Sequence, residues 1–179
     1  SAPSDDVYSW QRVYTDPHLW HNVTGWINPV LGSATGIEQS MNQELSGTGG
    51  SQFLTRIDRI LTGQPPRGSN VTLTLDAAGQ QAAYEGLDGL PSAVVAIEPA
   101  TGRVLVMMST PGFDTNVLAS HDTGAATDYY DGLLADPAHP LYNRGIGGDL
   151  NPPGSTFKIV VASAAVSYPL LTLPTICCV

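Results

Sequence analysis

The sequence predicts an α+β fold in two parts, a small N-terminal module followed by the opening of a larger domain. Three observations predict it. Two apolar runs at 92–98 (SAVVAIE) and 103–109 (RVLVMMS) flank the turn Pro99-Ala100-Thr101-Gly102. Proline early and glycine late in such a connection is a hairpin signature. A run at 71–75 (VTLTL) leads through Asp76 into an alanine- and glutamine-rich stretch, the pattern of a strand followed by a capped helix. Finally, Tyr8, Trp10, Tyr14, Trp20 and Trp26 crowd the N-terminal segment, an aromatic density suited to a small packed module.

In chain order, the N-terminal module covers 1–68 and has its clearest helix at 36–45 (GIEQSMNQEL), stopped by Gly47, Gly49 and Gly50. An ordered linker is the alternative reading of 1–50. A short amphipathic segment follows at 52–61, closed by the loop Gln64-Pro65-Pro66-Arg67-Gly68. The second domain, 69–179, opens with the strand at 71–75 and a helix from Ala77 to about Leu87, broken by 89–91. The hairpin strands are almost continuously apolar, which predicts a pair buried on both faces. Residues 110–150 hold many Gly, Asp and Pro and little periodicity, which predicts functional loops.

Composition excludes more than it identifies. Charged residues are 13% of the 179, against roughly 25% in ordinary soluble domains, and sixteen acids against seven bases give a net charge of −9. Such a surface repels phosphate backbones, so nucleic acid is not an expected partner. Cys177 and Cys178 are adjacent and poorly placed to bridge each other. His18, His21, His121 and His139 show no ligand spacing, so no metal or other cofactor is expected. No apolar run approaches the roughly 18 residues of a membrane span, which places any targeting segment upstream of Ser1. Asn-x-Thr sites at Asn22 and Asn70 carry no weight.

The chemistry gathers at one place. Asn151-Pro152-Pro153-Gly154 imposes extended and turn geometry before Ser155, which opens the apolar run 155–162 (STFKIVVA). That run is apolar on almost every face, so it predicts a buried helix. Lys158 then lies one turn above Ser155 on the same face. A serine hydroxyl needs a neighbouring base to act as a nucleophile, and desolvation suits a lysine amine to that task. The helix N-terminus adds N–H groups that favour a developing oxyanion. Lys158 is the sole lysine of the chain, and it stands in the most apolar helix, where an unpaired ammonium costs several kcal/mol. A lysine snorkelling at a helix edge is the alternative.

With these residues in view, the sequence resembles the class B penicillin-binding proteins, whose transpeptidase domains carry Ser-x-x-Lys after a Pro-Pro-Gly turn. Pro152-Pro153-Gly154-Ser155-Thr156-Phe157-Lys158 is the matching string. The hairpin at 93–108 looks like the family's opening strands, and 70–83 (NVTLTLDAAGQQAA) like its preceding strand and helix. Leu141-Tyr142-Asn143-Arg144 resembles the lead-in to the nucleophile. Arg12-Val13-Tyr14, Val23-Thr24-Gly25 and Gly36-Ile37-Glu38 are similar to the N-terminal module of the short cell-division type found in actinobacteria. The resemblance covers roughly 8–165. It implies a pedestal or dimerisation-like module, then the first part of a penicillin-binding transpeptidase (serine β-lactamase-like) domain. It further implies a membrane-anchored protein on the outer face of the cell membrane, with possible division or elongation partners. Ser155 would be acylated by the D-alanyl-D-alanine end of a peptidoglycan stem peptide, or by a β-lactam.

The family also needs Ser-x-Asn and Lys-Thr-Gly downstream of the nucleophile. No lysine follows Lys158, and the tail at 166–179 departs from the family pattern. A frameshift or premature stop is the expectation. Ser40-Met41-Asn42 fits Ser-x-Asn but precedes the nucleophile, and reads as coincidence. On these grounds the chain alone is expected to be inactive, since loss of one oxyanion donor costs roughly 3–4 kcal/mol. A serine β-lactamase and a non-catalytic interaction module are the competing readings.

Overall fold

The structure is a computed structural model and describes residues 1–48, 68–148 and 152–167. The segment at 52–61, Gly49, Gly50 and most of the tail at 166–179 lie outside the described residues. The chain divides into two compact units, Ser1–Gly148 and Asp149–Val179.

The first unit opens with a small ribbon, β1 (Ala2–Pro3) against β2 (Trp10–Gln11), then helix α1 (Pro17–Thr24). A second ribbon pairs β3 (Ile27–Asn28) with β4 (Ser33–Ala34). The helix expected at 36–45 is instead two short ones, α2 (Gly36–Ser40) and α3 (Asn42–Ser46), separated by Met41 at φ −109°, ψ 19°. Ser40 and Asn42 flank that break, and both are residues whose side chains compete with helical hydrogen bonding. Gly47 ends α3 in the left-handed region, φ +74°, where glycine carries no steric penalty.

Two glycines let this module close. Gly25 (φ +67°) and Gly36 (φ +57°) cross main chain directly: a Cβ on Gly25 would lie 2.3 Å from Thr35 O, and one on Gly36 2.6 Å from Val23 O. No side chain fits at either. Across the same module Arg12 Nε donates to Glu38 Oε1 at 2.7 Å, with Nη2 at 2.6 Å. The Glu38 side chain is only 7% exposed, so Arg12 compensates a carboxylate that would otherwise be buried alone.

Asp76 caps α4 (Ala77–Leu87), its Oδ1 accepting from Gly79 N–H at 2.6 Å. The hairpin forms as expected: β5 (Ala93–Ile97) pairs antiparallel with β6 (Val104–Ser109), with a register irregularity at Ala96/Ile97. Its burial differs from expectation. β6 is largely covered, whereas β5 alternates and leaves Val95 40% and Ile97 55% exposed. The helices packed on the pair, α1 and α4, lie against β6. The core is correspondingly local: Leu19, Val106 and Met108, ringed by Trp20, Ala83, Leu87, Val94 and Ala96.

The run at 71–75 forms no strand. Only Thr74 Oγ1, donating to Val104 O at 2.7 Å, and Asp76 N–H, donating to Leu105 O at 2.8 Å, reach β6 from it. Beyond Leu105 that edge is taken by side-chain amides. Gln80 is fully buried; its Oε1 accepts from Met107 N–H at 3.0 Å, and its Nε2 donates to Met107 O at 2.7 Å and to Leu19 O at 3.0 Å. Asn22 Nδ2 also donates to Met107 O, at 3.0 Å.

Residues 110–150 hold more helix than expected: α5 (Thr115–Leu118) and the 13-residue α6 (Thr123–Ala135). Asp114 caps the first through Asn116 N–H, and Asp122 the second through Ala125 N–H. The glycines at 124 and 132 obscured the second helix in the sequence.

Replacing Gln80 by leucine roughly keeps the volume and removes its bonds to Met107 and Leu19, leaving Met107 N–H buried without a partner. The expected cost is about 3 kcal/mol, which at roughly 2–4 °C per kcal/mol lowers the melting temperature by about 6–12 °C. Calorimetry of the Gln80→Leu chain checks it.

Candidate active site

The second unit carries the residues that sequence reasoning singled out. Pro153 turns the chain (φ −71°, ψ −13°) and Gly154 follows in the left-handed region at φ +51°. No atom lies within 4 Å of where a Gly154 Cβ would be, so backbone conformation, not space, selects glycine here. Thr156 Oγ1 donates to Pro153 O at 2.7 Å and closes the 3₁₀ turn Gly154–Thr156. That turn runs directly into α7 (Phe157–Ser167).

Ser155 thus sits in the entry turn and Lys158 at the second position of the helix. Three residues apart across a helical start, they share a face. Both are exposed. The expected burial of this helix is not met: Phe157 is 52% exposed, Ile159 71%, Val160 57%, Val161 54% and Val166 76%. An eleven-residue helix that is apolar all round cannot cover its own surface. Lys158, expected in an apolar surround, is exposed with them.

In the first unit, the lead-in residues 141–144 are anchored to the end of β6. Ser109 Oγ donates to Tyr142 O at 3.0 Å and accepts from Arg144 N–H at 3.1 Å. The Arg144 guanidinium donates to Thr110 O (3.1 Å), His139 O (3.3 Å) and Ala138 O. Asn143 Nδ2 donates to Asn22 O at 3.2 Å. One cation therefore gathers three main-chain carbonyls of an irregular stretch, which is how a loop without secondary structure is held to one shape.

Two buried titratable groups lie in this unit. Burial pushes the His21 imidazole down to about 4, with the backbone oxygen of His18 working weakly against it. Burial also pushes the Tyr14 hydroxyl up, the Glu38 charge adding to it, while that hydroxyl accepts from Ile27 N–H at 2.9 Å. Ser40 and Asn42, the Ser-x-Asn look-alike, flank the break between α2 and α3. Among the described residues, no three or more His, Cys, Asp or Glu side chains gather as a metal site would require.

Comparison with known proteins places these features. Residues 1–71 match the family description "Penicillin binding protein A dimerisation domain", and residues 92–172 match "Penicillin binding protein transpeptidase domain". The chain belongs to the penicillin-binding protein family. It is 41% identical over 172 residues to the peptidoglycan D,D-transpeptidase PbpA of Mycolicibacterium smegmatis, covering 93% of this chain and 34% of that protein. It is 38% identical over 143 residues to the peptidoglycan D,D-transpeptidase MrdA of Escherichia coli, covering 76% of this chain and 22% of that one. Among solved structures, penicillin-binding protein A from M. tuberculosis, as its penicillin G acyl-enzyme complex, superposes with a TM-score of 0.82 at 34% identity. That match covers 95% of this chain and 40% of the other. The chain spans about a third of the length of the PbpA relatives it matches and about a fifth of the MrdA relative.

Sequence reasoning named Ser155 and Lys158 but missed the side chains that hold the scaffold around β6, Gln80, Asn22 and Ser109. Gln80 reads in sequence only as a good helix former, and nothing local marks it as a clamp.

The His21 shift makes a pH prediction. Its folded value, about 4, lies below the ordinary 6.5, so the unfolded chain binds the proton first. Stability is full above about pH 6.5 and is lost as the pH falls towards 4, by about 3 kcal/mol in all. Urea unfolding at pH 7 and pH 4 should show this loss, and His21→Gln should remove it; parallel profiles for the two proteins would count against it.

Proposed function

We propose that this chain supplies the nucleophile half of a peptidoglycan D,D-transpeptidase, with Ser155 as nucleophile and Lys158 as its base. The observation that carries the reading is the Pro-Pro-Gly turn, which delivers Ser155 into the first turn of a helix with Lys158 on the same face, inside the segment matching a transpeptidase domain. Lys158 Nζ takes the proton as Ser155 Oγ attacks the penultimate D-alanine carbonyl of a stem peptide. Terminal D-alanine leaves with a proton, and the acyl-serine passes its peptide to an amine of a neighbouring strand. A β-lactam acylates the same oxygen by ring opening, and the absence of a leaving fragment keeps the ester in place. The relative from M. tuberculosis, solved as a penicillin G acyl-enzyme, supports this chemistry.

Residues 1–68 form the pedestal in this reading and 69–179 the start of the catalytic domain. The match of the N-terminal segment to a dimerisation domain favours association as the module's role, with division or elongation proteins as further partners. The working place is the extracytoplasmic face of the cell membrane. Among the described residues no helix is long and apolar enough to cross a membrane, so anchoring is not assigned to them.

The test is a hybrid in which this chain replaces the corresponding segment of the M. smegmatis PbpA. Fluorescent penicillin should label the hybrid stably, Ser155→Ala should abolish the label, and Lys158→Ala should slow acylation by about 100-fold or more. Rapid turnover of the label would indicate a β-lactamase, and a folded hybrid that takes no label would indicate a non-catalytic module.

A further inference from the structure

One pocket of the first unit has an aromatic wall, an apolar base and no charge. It encloses about 330 Å³ between the β3–β4 ribbon and α6, lined by Trp26, Leu31 and Ser33 on one side and Thr127 and Tyr130 on the other. Its rim is open, Leu31 being 48% exposed and Tyr130 38%, whereas Leu118 and Ala126 at its base are buried. Trp26 stands edge-on to Phe113, ring centres 5.6 Å apart at 84°, and Tyr130 leans on it at 6.4 Å and 55°. The indole is held in one pose, so the wall exists before any ligand arrives.

The hydroxyls of Ser33, Thr127 and Tyr130 belong to this wall, and among the described residues none has a hydrogen-bond partner. Thr35 Oγ1 is taken, accepting from Trp26 N–H at 3.2 Å. No Asp, Glu, Lys, Arg or His lines the pocket. Hydroxyls that each donate and accept match a ligand whose own polar groups do both, as sugar hydroxyls do. Aromatic faces carry negative charge density and attract the C–H-lined face of a saturated ring. A wall without charge leaves an ionic ligand uncompensated, which excludes phosphates, ammonium groups and the carboxylate end of a stem peptide. The buried Leu118 and Ala126 offer an apolar seat to an acetamido methyl. The volume lies at the small end of ligand pockets, one ring in size.

We propose that this pocket binds one uncharged N-acetylated amino-sugar ring, the unit of which peptidoglycan strands are built. The inference rests on the transpeptidase reading, because the polymer that presents stem peptides to Ser155 carries such rings beside them. A strand held here gives the enzyme a second grip on its substrate, apart from the nucleophile.

Titration of the full chain followed by nuclear magnetic resonance tests this, with N-acetylglucosamine as the probe and glucose and phenol for comparison. The expected result is a saturable shift of the Trp26 indole and Tyr130 ring signals by N-acetylglucosamine, about tenfold tighter than by glucose. Thr127→Glu, at an exposed wall position, brings a charge to the pocket and should weaken that binding by about tenfold or more; Tyr130→Ala should weaken it as well. Absence of a saturable shift, equal affinity for glucose, binding of phenol alone, or binding unchanged in both variants would each overturn the proposal. If the hybrid takes the penicillin label while no sugar binds, the sugar site fails by itself and the transpeptidase reading stands.

Discussion

The fold of the first unit depends on a side-chain amide that behaves as a strand. Gln80 accepts from Met107 N–H and donates to Met107 O, the same exchange that a neighbouring strand would make. A two-stranded hairpin is marginal by itself and needs a covered face; an unpaired edge inside a domain leaves buried N–H and C=O groups without partners. Gln80 meets that need from α4 while its second N–H ties in Leu19 of α1. Helix, hairpin and N-terminal module are thereby fixed to one point, and the Leu19–Val106–Met108 core forms beneath it.

The same device recurs. Asn116 accepts from Tyr14 N–H and donates to Tyr14 O, joining α5 to the segment before α1. Asn28 is fully buried and donates to Leu118 O and Ser120 O while its oxygen accepts from Val30 and Leu31 N–H. A core of this kind is held by discrete bonds more than by apolar volume. Each amide has one satisfied orientation, so the elements it joins cannot slide. The low share of charged residues in the chain accords with this: amides supply polar contact without the desolvation cost of ions.

What sequence could and could not reveal follows from range. The hairpin and the Asp76 cap were legible because turn and cap chemistry act within four residues. The run at 71–75 has strand composition, yet it meets β6 through the Thr74 hydroxyl and the Asp76 N–H in place of a ladder, and no local pattern announces that. The helix at 123–135 was hidden by its glycines, and the single helix expected at 36–45 broke at Met41 between two side chains prone to local bonding. At the site, Pro153-Gly154-Ser155 and Lys158 were legible as a motif and fold as a turn into a helix. The cover expected over that helix is a long-range property, and its apolar residues stand exposed.

Native-state hydrogen exchange at the Met107 amide tests the central claim most directly. If the Gln80 amide closes the β6 edge as a strand would, this proton exchanges only through global unfolding, as slowly as the N–H groups paired between β5 and β6. Exchange at the rate of fraying loop amides, with the hairpin protons still protected, would contradict it.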